Sequence, residues 1–245
     1  MFRLMLASWV VFALVFAPLS ARAEVGNYLV TVYDNEGLAD ISFHYWDTNP
    51  RGRSRTVWPE IGFGYGFTSR WYSKVFISNV GPKLLSTSVE SLNWQNDYLL
   101  TQGQYPFDLA LHTNLALYRD TSEGKTLEIG PAFQTDLGRF QINANLFLER
   151  AYQVQNIAPT QLNYQWQVKY RIPQGLHFGL QGFGELGDWN HWAPGSHQSH
   201  RAGPMAAFVV PLGNAQEIRL QAAYLTGKTF GRSGSMFTAR AQYVF

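Results

Sequence analysis

The strongest regularity along the chain is alternation of apolar and polar residues. Leu162, Tyr164, Trp166, Val168, Tyr170 and Ile172 share one parity, and Asn163, Gln165, Gln167, Lys169 and Arg171 share the other. Side chains of a β-strand point alternately to opposite faces, so this run predicts a strand with one apolar and one polar surface. The pattern returns at Phe140-Ile142-Ala144-Leu146-Leu148, Leu176-Phe178-Leu180, Ile218-Leu220-Ala222-Tyr224 and Phe237-Ala239-Ala241-Tyr243-Phe245. Helical spacing is almost absent. Twelve extended segments are predicted, at about 37–47, 57–67, 70–80, 86–99, 106–118, 126–136, 138–149, 161–172, 175–187, 201–211, 215–226 and 235–245. Ten to twelve residues at about 3.3 Å each, tilted near 45°, rise roughly 25 Å, the height of the apolar band of a membrane barrel.

The connections carry a second pattern. Thr48–Thr56 is long and Thr68–Arg70 short; Glu149–Thr160 is long and Pro173–Gln174 short; Asp188–His200 is long, Leu212–Asn214 short and Gly227–Gly234 long. Val80–Leu85 and Leu100–Tyr105 are similar in length and do not discriminate. Transmembrane barrels join their strands by short periplasmic turns and longer outer loops. The expected fold class is therefore all-β, a transmembrane antiparallel up-and-down β-barrel of twelve strands, with both ends of the barrel chain on the periplasmic side. The register of 161–172 is firm, because the opposite one would turn Lys169 and Arg171 to lipid at about 2–4 kcal/mol each. Trp58, Trp71, Trp94, Trp166, Tyr170 and Tyr243 suit the interfacial girdles.

The first residues read as an export signal. Arg3 precedes the apolar run Leu4–Ala17, Pro18 breaks it, and Ala21-Arg22-Ala23 offers small residues at a cleavage site. Residues 1–23 are expected to be removed, so that the mature chain begins at Glu24. Arg3 and Arg22 leave with the signal, so the 19 Lys and Arg residues fall to 17 and balance the 17 Asp and Glu residues. Charge thus gives no reason to expect nucleic acid as a partner. With no cysteine in the chain, the fold uses no disulfide. Tyr28 to Tyr33 forms one more short extended segment before the Asp34-Asn35-Glu36-Gly37 turn. Residues 24–36 fit an extra strand, a periplasmic extension or a lumen plug, and the barrel proper is taken as 37–245.

Tyr243-Val244-Phe245 ends the chain on an aromatic residue with alternating aromatics before it. This resembles the last strand of outer-membrane proteins, and the resemblance implies recognition of Phe245 by the barrel-assembly machinery. The hairpin layout, with Gly130-Pro131 and Gly203-Pro204 in two strands, is similar to small outer-membrane channels of the type found beside phenol-degradation pathways. The implied location is the bacterial outer membrane, with its lipid and lipopolysaccharide as neighbours.

By strand parity the lumen is lined by Asp40, His44, Glu60, Lys74, Asp97, Asp108, His112, Glu128, Glu149, Lys169, Arg171, His177, Glu185, Arg201, Arg219 and Arg240, among many Asn and Gln. A soluble sandwich would bury apolar side chains on that face. The acids concentrate in the first seven strands, with Lys74 the one base. The bases Lys169, Arg171, Arg201, Arg219 and Arg240 concentrate in the last five, with Glu185 the one acid. Opposed acidic and basic walls across a narrow bore would create a transverse field. If the charges instead paired across the lumen, they would close it.

Three functions follow from this reading. The leading one is a channel for passive or substrate-selective diffusion of small solutes, with no cofactor. A lipid-modifying hydrolase is the second, because some twelve-stranded barrels resemble outer-membrane phospholipases and lipid A deacylases. Asp40, Ser42 and His44 share one face of the first strand, but about 7 Å separates neighbouring members and the trio points away from lipid. The third is a closed structural or adhesion barrel that acts through its outer loops. His191, His197 and His200 lie within ten residues and could ligate zinc or copper, but with no Cys and no Met-rich tract beside them a solvated loop is the better reading and no metal site is expected. Gly62, Gly64 and Gly66 alternate with aromatic residues and read as small lumen positions, not as a dinucleotide fingerprint.

Overall fold

A computed structural model describes residues 27–32, 36–154, 158–173, 175–229 and 231–245. Its strands are β1 (Ala39–Pro50), β2 (Thr56–Gly66), β3 (Trp71–Val80), β4 (Ser88–Leu99), β5 (Phe107–Tyr118), β6 (Lys125–Leu137) and β7 (Phe140–Tyr152). They continue with β8 (Gln161–Arg171), β9 (Leu176–Asp188), β10 (His191–Trp192), β11 (Ser199–Gly213), β12 (Gln216–Thr229) and β13 (Arg232–Val244). Each long strand pairs antiparallel with its sequence neighbour, and β13 pairs antiparallel with β1, from Asp40↔Val244 to Pro50↔Gly234. The result is a closed antiparallel barrel of twelve staves, while the two-residue β10 only prolongs the end of β9. Phe245 completes the seam through Phe245 N–H to Ala39 O at 2.9 Å and Ala39 N–H to Phe245 O at 2.8 Å. Closure leaves no sheet edge open to lipid, where an unpaired backbone group would cost several kcal/mol.

All twelve expected strands are present, displaced by at most a few residues at their ends. The main departure is Gly227–Gly234, expected as a long loop. Here β12 and β13 run on, pairing Gly227↔Gly234, Lys228↔Ser233 and Thr229↔Arg232. Lys228 and Thr229 continue the strand alternation, but the glycines around them look like loop signals. The expected signal segment 1–23, residues 24–26 and 33 of the N-terminal segment, and positions 34 and 35 of the expected turn lie outside the described residues.

The alternation resolves into two surfaces. Ile41, Phe43, Ile61, Phe63, Val75, Ile77, Leu92, Trp94, Phe140, Leu146, Phe178, Leu180, Leu220 and Tyr224 are exposed on the outer wall. Asp40, Ser42, His44, Lys74, Asn93, Gln95, Asn143 and Gln167, on the other parity, are buried inside. Exposed apolar and buried polar groups invert a water-soluble core, as expected when lipid is the outer solvent. Trp58 was expected in the outer girdle but has the parity of Glu60. It lies inside, stacked on Trp46 with ring centroids 6.2 Å apart.

The two Gly-Pro pairs have a shared local cause. Proline cannot donate to the ladder. On the side toward β7, pairing is interrupted between Ile129↔Leu148 and Ala132↔Asn145. On the side of β11 toward β12, it is interrupted between Ala202↔Thr226 and Met205↔Ala223. At each interruption the glycine before the proline faces a neighbouring carbonyl, Leu146 O for Gly130 and Tyr224 O for Gly203, where any Cβ would collide.

Candidate solute pathway through the barrel

On the wall formed by β1 to β6 the lumen charges are packed against one another. His44 Nδ1 is 3.3 Å from Glu60 Oε2, and Lys74 Nζ is 3.4 Å from His44 Nε2. Ser78 donates to Glu60, and Asn93 Nδ2 donates to Ser78 Oγ at 3.1 Å. Asp40 accepts from Tyr72 OH at 2.6 Å and lies 3.9 Å from Lys74 Nζ. Gly62 and Gly64 permit this arrangement. A Cβ on Gly64 would sit 2.5 Å from Asp40 Oδ2 and collide with the Tyr72 hydroxyl, and one on Gly62 would sit 2.9 Å from Lys74 Cε. The expected reading of these glycines as small lumen positions therefore has a definite spatial reason.

His112 forms a second node. Its Nδ1 lies 2.6 Å from Asp97 Oδ1 and its Nε2 3.3 Å from Glu128 Oε1, a geometry suited to a ring donating from both nitrogens. Gln95 Nε2 donates to Asp97 Oδ2 at 2.6 Å. The acidic wall thus carries its own counter-groups, Lys74 and His112, while the His44 ring lies between Lys74 Nζ and Glu60 Oε2. Such pairs are costly to break, because a lone charge would be left out of water.

The Asp40-Ser42-His44 relay, weighed above as the lesser reading of these residues, does not assemble. Both ring nitrogens of His44 face Glu60 and Lys74, and Ser42 Oγ is buried without a hydrogen-bond partner in the structure.

Residues 27–32 supply the feature that the pattern of strands could not place. They are not a strand in the described structure; they run inside the barrel and bond to lumen side chains. Arg201 Nη2 donates to Asn27 Oδ1 at 3.0 Å and also pairs with Glu185 at 2.7 Å. Tyr28 OH donates to Gln95 Oε1 at 2.9 Å, and its ring lies 4.2 Å from that of His44. Arg240 Nη1 donates to Leu29 O at 3.4 Å. Val30 N–H donates to Gln165 Oε1 at 3.0 Å, and Asn145 Nδ2 donates to Val30 O at 2.8 Å. Amide side chains of β7 and β8 thereby satisfy both main-chain groups of Val30 as a neighbouring strand would. Amides also bridge staves beside the segment: Gln167 and Gln221 both donate to Gln181 Oε1, at 3.0 and 2.9 Å, and Gln181 Nε2 donates to Thr238 Oγ1 at 3.2 Å.

Two apolar clusters flank the segment. One contains Trp46, Trp58, Phe183, Met205, Leu225 and Met236 and touches Tyr28; the other joins Val30 to Leu99, Ala110, Ala132 and Phe147. The polar inner face therefore also carries apolar side chains. Phe147, for instance, has the parity of Asn143 and Asn145 and is fully buried.

Of the sixteen expected lumen residues, Asp40, His44, Glu60, Lys74, Asp97, His112, Glu128 and Arg201 are buried. Asp108, Glu149, Lys169, Arg171, His177, Glu185, Arg219 and Arg240 are half-buried. Glu149 accepts from Asn163 Nδ2 at 2.7 Å. Arg171 pairs with Asp136 at 3.1 Å, and Arg219 pairs with Glu217. Asp136 and Glu217 were missed, although each lies two residues from an inward partner, Gln134 and Arg219 respectively. Lys169, His177, Arg219 and Arg240, but not Arg171, border a cavity of about 230 Å³ that Thr31, Val32 and Gln141 also line.

The three loop histidines separate. Tyr164 OH and Gln198 Oε1 each lie 2.8 Å from a ring nitrogen of His200, whereas His197 Nδ1 lies 3.1 Å from Ser196 Oγ. Among the described residues no group of three His, Cys, Asp or Glu side chains is placed to hold a metal ion.

No family model matches the chain, and no curated protein matches it in sequence. Solved structures do. The COG4313 outer membrane channel from Pseudomonas putida F1 superposes with a TM-score of 0.61 at 9% identity, covering 91% of this chain and 98% of that one. The NanC porin gives 0.57 at 13% identity, over 84% of this chain and 98% of its own. The KdgM porin gives 0.57 at 7% identity, over 84% of this chain and 99% of its own. At such identities the likeness is one of fold: the chain is a transmembrane β-barrel of the architecture those proteins share.

Proposed function

We propose that the protein is an outer-membrane channel for passive or substrate-selective diffusion of small solutes, its bore narrowed by its own residues 27–32. The observation that carries this reading is the closed twelve-stave barrel with an apolar outer wall and a lumen lined by Asp, Glu, His, Lys, Arg, Asn and Gln side chains. Its structural neighbours include an outer membrane channel and two porins, which supports the same reading. In this proposal residues 1–23 direct export and are removed. Phe245 is read by the assembly machinery, and the ends holding 51–55, 119–124 and 189–198 face outward among lipopolysaccharide. The acidic wall, balanced internally by Lys74 and His112, lines one side of the path, and the bases of β8 to β13 line the other.

A closed barrel acting through its outer loops is the second reading, favoured by the lumen segment and its flanking apolar clusters. Planar-bilayer recording separates the two. Purified, folded protein is expected to give discrete conductance steps and to let small solutes into liposomes. Intact, heat-modifiable protein that never conducts, with or without residues 24–32, would overturn the channel reading.

A further inference from the structure

We infer that the lower bore contains a binding site for a small organic carboxylate, built from Lys169, His177, Arg219 and Arg240 around the cavity beside Thr31 and Val32. The inference rests on the channel reading, since it names the class of solute such a path would favour.

The site is assembled by register. Arg171 lies opposite His177 between β8 and β9, Val209 opposite Arg219 between β11 and β12, and Gln221 opposite Arg240 between β12 and β13. Basic side chains from four staves, Lys169, His177, Arg219 and Arg240, thereby face one cavity of about 230 Å³. Asp136 and Glu217 engage Arg171 and Arg219. Lys169 makes no hydrogen bond or ion pair with a described residue, yet it lines the cavity. A half-buried ammonium without a protein acceptor is a strong donor for an incoming anion.

The remaining lining selects among anions. Gln134, Gln141 and Gln221 add amide groups able to donate to carboxylate oxygens. Val32, Ala207 and Val209 add an apolar side suited to a short hydrocarbon body. Inorganic phosphate or chloride would use the cations and leave that side uncovered. A neutral molecule with the same body would use the apolar side and leave the cations unengaged.

The test is calorimetric titration of the full, detergent-folded barrel with butyrate, using inorganic phosphate and butyramide as controls. Butyrate is expected to bind more tightly than either. K169Q and R240Q should each weaken it about tenfold, the scale of one lost charge-assisted hydrogen bond. K169R should stay within a few-fold of the parent, as should R119Q in an outer loop, with folding of every variant checked by its heat-modifiable band. Equal affinity for phosphate and butyrate would overturn the assignment to organic carboxylates, and so would unchanged binding by folded K169Q and R240Q. Conductance without butyrate binding would remove the site and leave the channel standing. Butyrate binding lost in K169Q, in a barrel that never conducts, would keep the site and remove the channel.

Discussion

His112 shows how much of this barrel is decided by single side chains. Its two ring nitrogens face Asp97 and Glu128, and all three residues are buried. Replacing it with leucine would keep the volume and leave two carboxylates facing each other without a donor between them. H112L is expected to cost about 3–5 kcal/mol, the scale for removing one member of a buried charged group. The measurement is the shift of the urea unfolding midpoint of the folded barrel. Adding D97N and E128Q should recover most of the loss; no recovery would assign the cost to packing against Phe147, whose ring centroid lies 4.7 Å from the imidazole. Strand parity placed His112, Asp97 and Glu128 on the lumen side from sequence alone. Their contact was not legible, because it depends on register: Asp97 stands opposite His112, whereas Glu128 reaches it from two residues beyond the opposite position, Gly130. The same gap explains the misplaced Trp58. Its residue type suggested a girdle, while its parity with Glu60 already pointed inward.

The staves were the most readable level. Alternation over ten or more residues is a repeated signal, and each stave repeats it, so the count and order of strands survive errors of a few residues at their ends. What misled was turn chemistry: Gly227, Gly231 and Gly234 suggested a loop where two strands continue to Thr229 and Arg232. The seam between β1 and β13 offers a test at this scale. Phe245 contributes two reciprocal backbone hydrogen bonds to Ala39 and a ring stacked on Tyr243 at 5.1 Å. F245A preserves the backbone bonds and removes the ring, whereas deletion removes both. In refolding into detergent, F245A is expected to reach a yield near that of the parent and the deletion to fall clearly below it. In cells both should accumulate less folded barrel, since the ring is the proposed signal to the assembly machinery. Equal yields for F245A and the parent in cells would count against that role.

For the molecule as a whole, the outer wall was legible and the filling of the bore was not. A lipid-facing surface repeats in every stave, but Asn27 to Val32 is a single short run whose partners come from β1, β4, β7, β8, β11 and β13. No local pattern encodes contacts scattered so widely along the chain. Removing residues 24–32 is expected to raise single-channel conductance several-fold while the barrel remains heat-modifiable. An unchanged conductance would mean that the segment does not narrow the path, and the milder Y28A provides the same readout with less disturbance to the flanking clusters. The segment also imposes an order of events. Its partners sit on staves that become neighbours across the bore only when the sheet has curled and β13 has met β1. Until that moment Trp46, Phe147, Phe183 and Met236 have water where Tyr28 and Val30 will lie. The wall can form stave by stave, but its contents cannot, so the interior is the last part of this protein to dry, and the barrel completes its fold by enclosing residues 27–32.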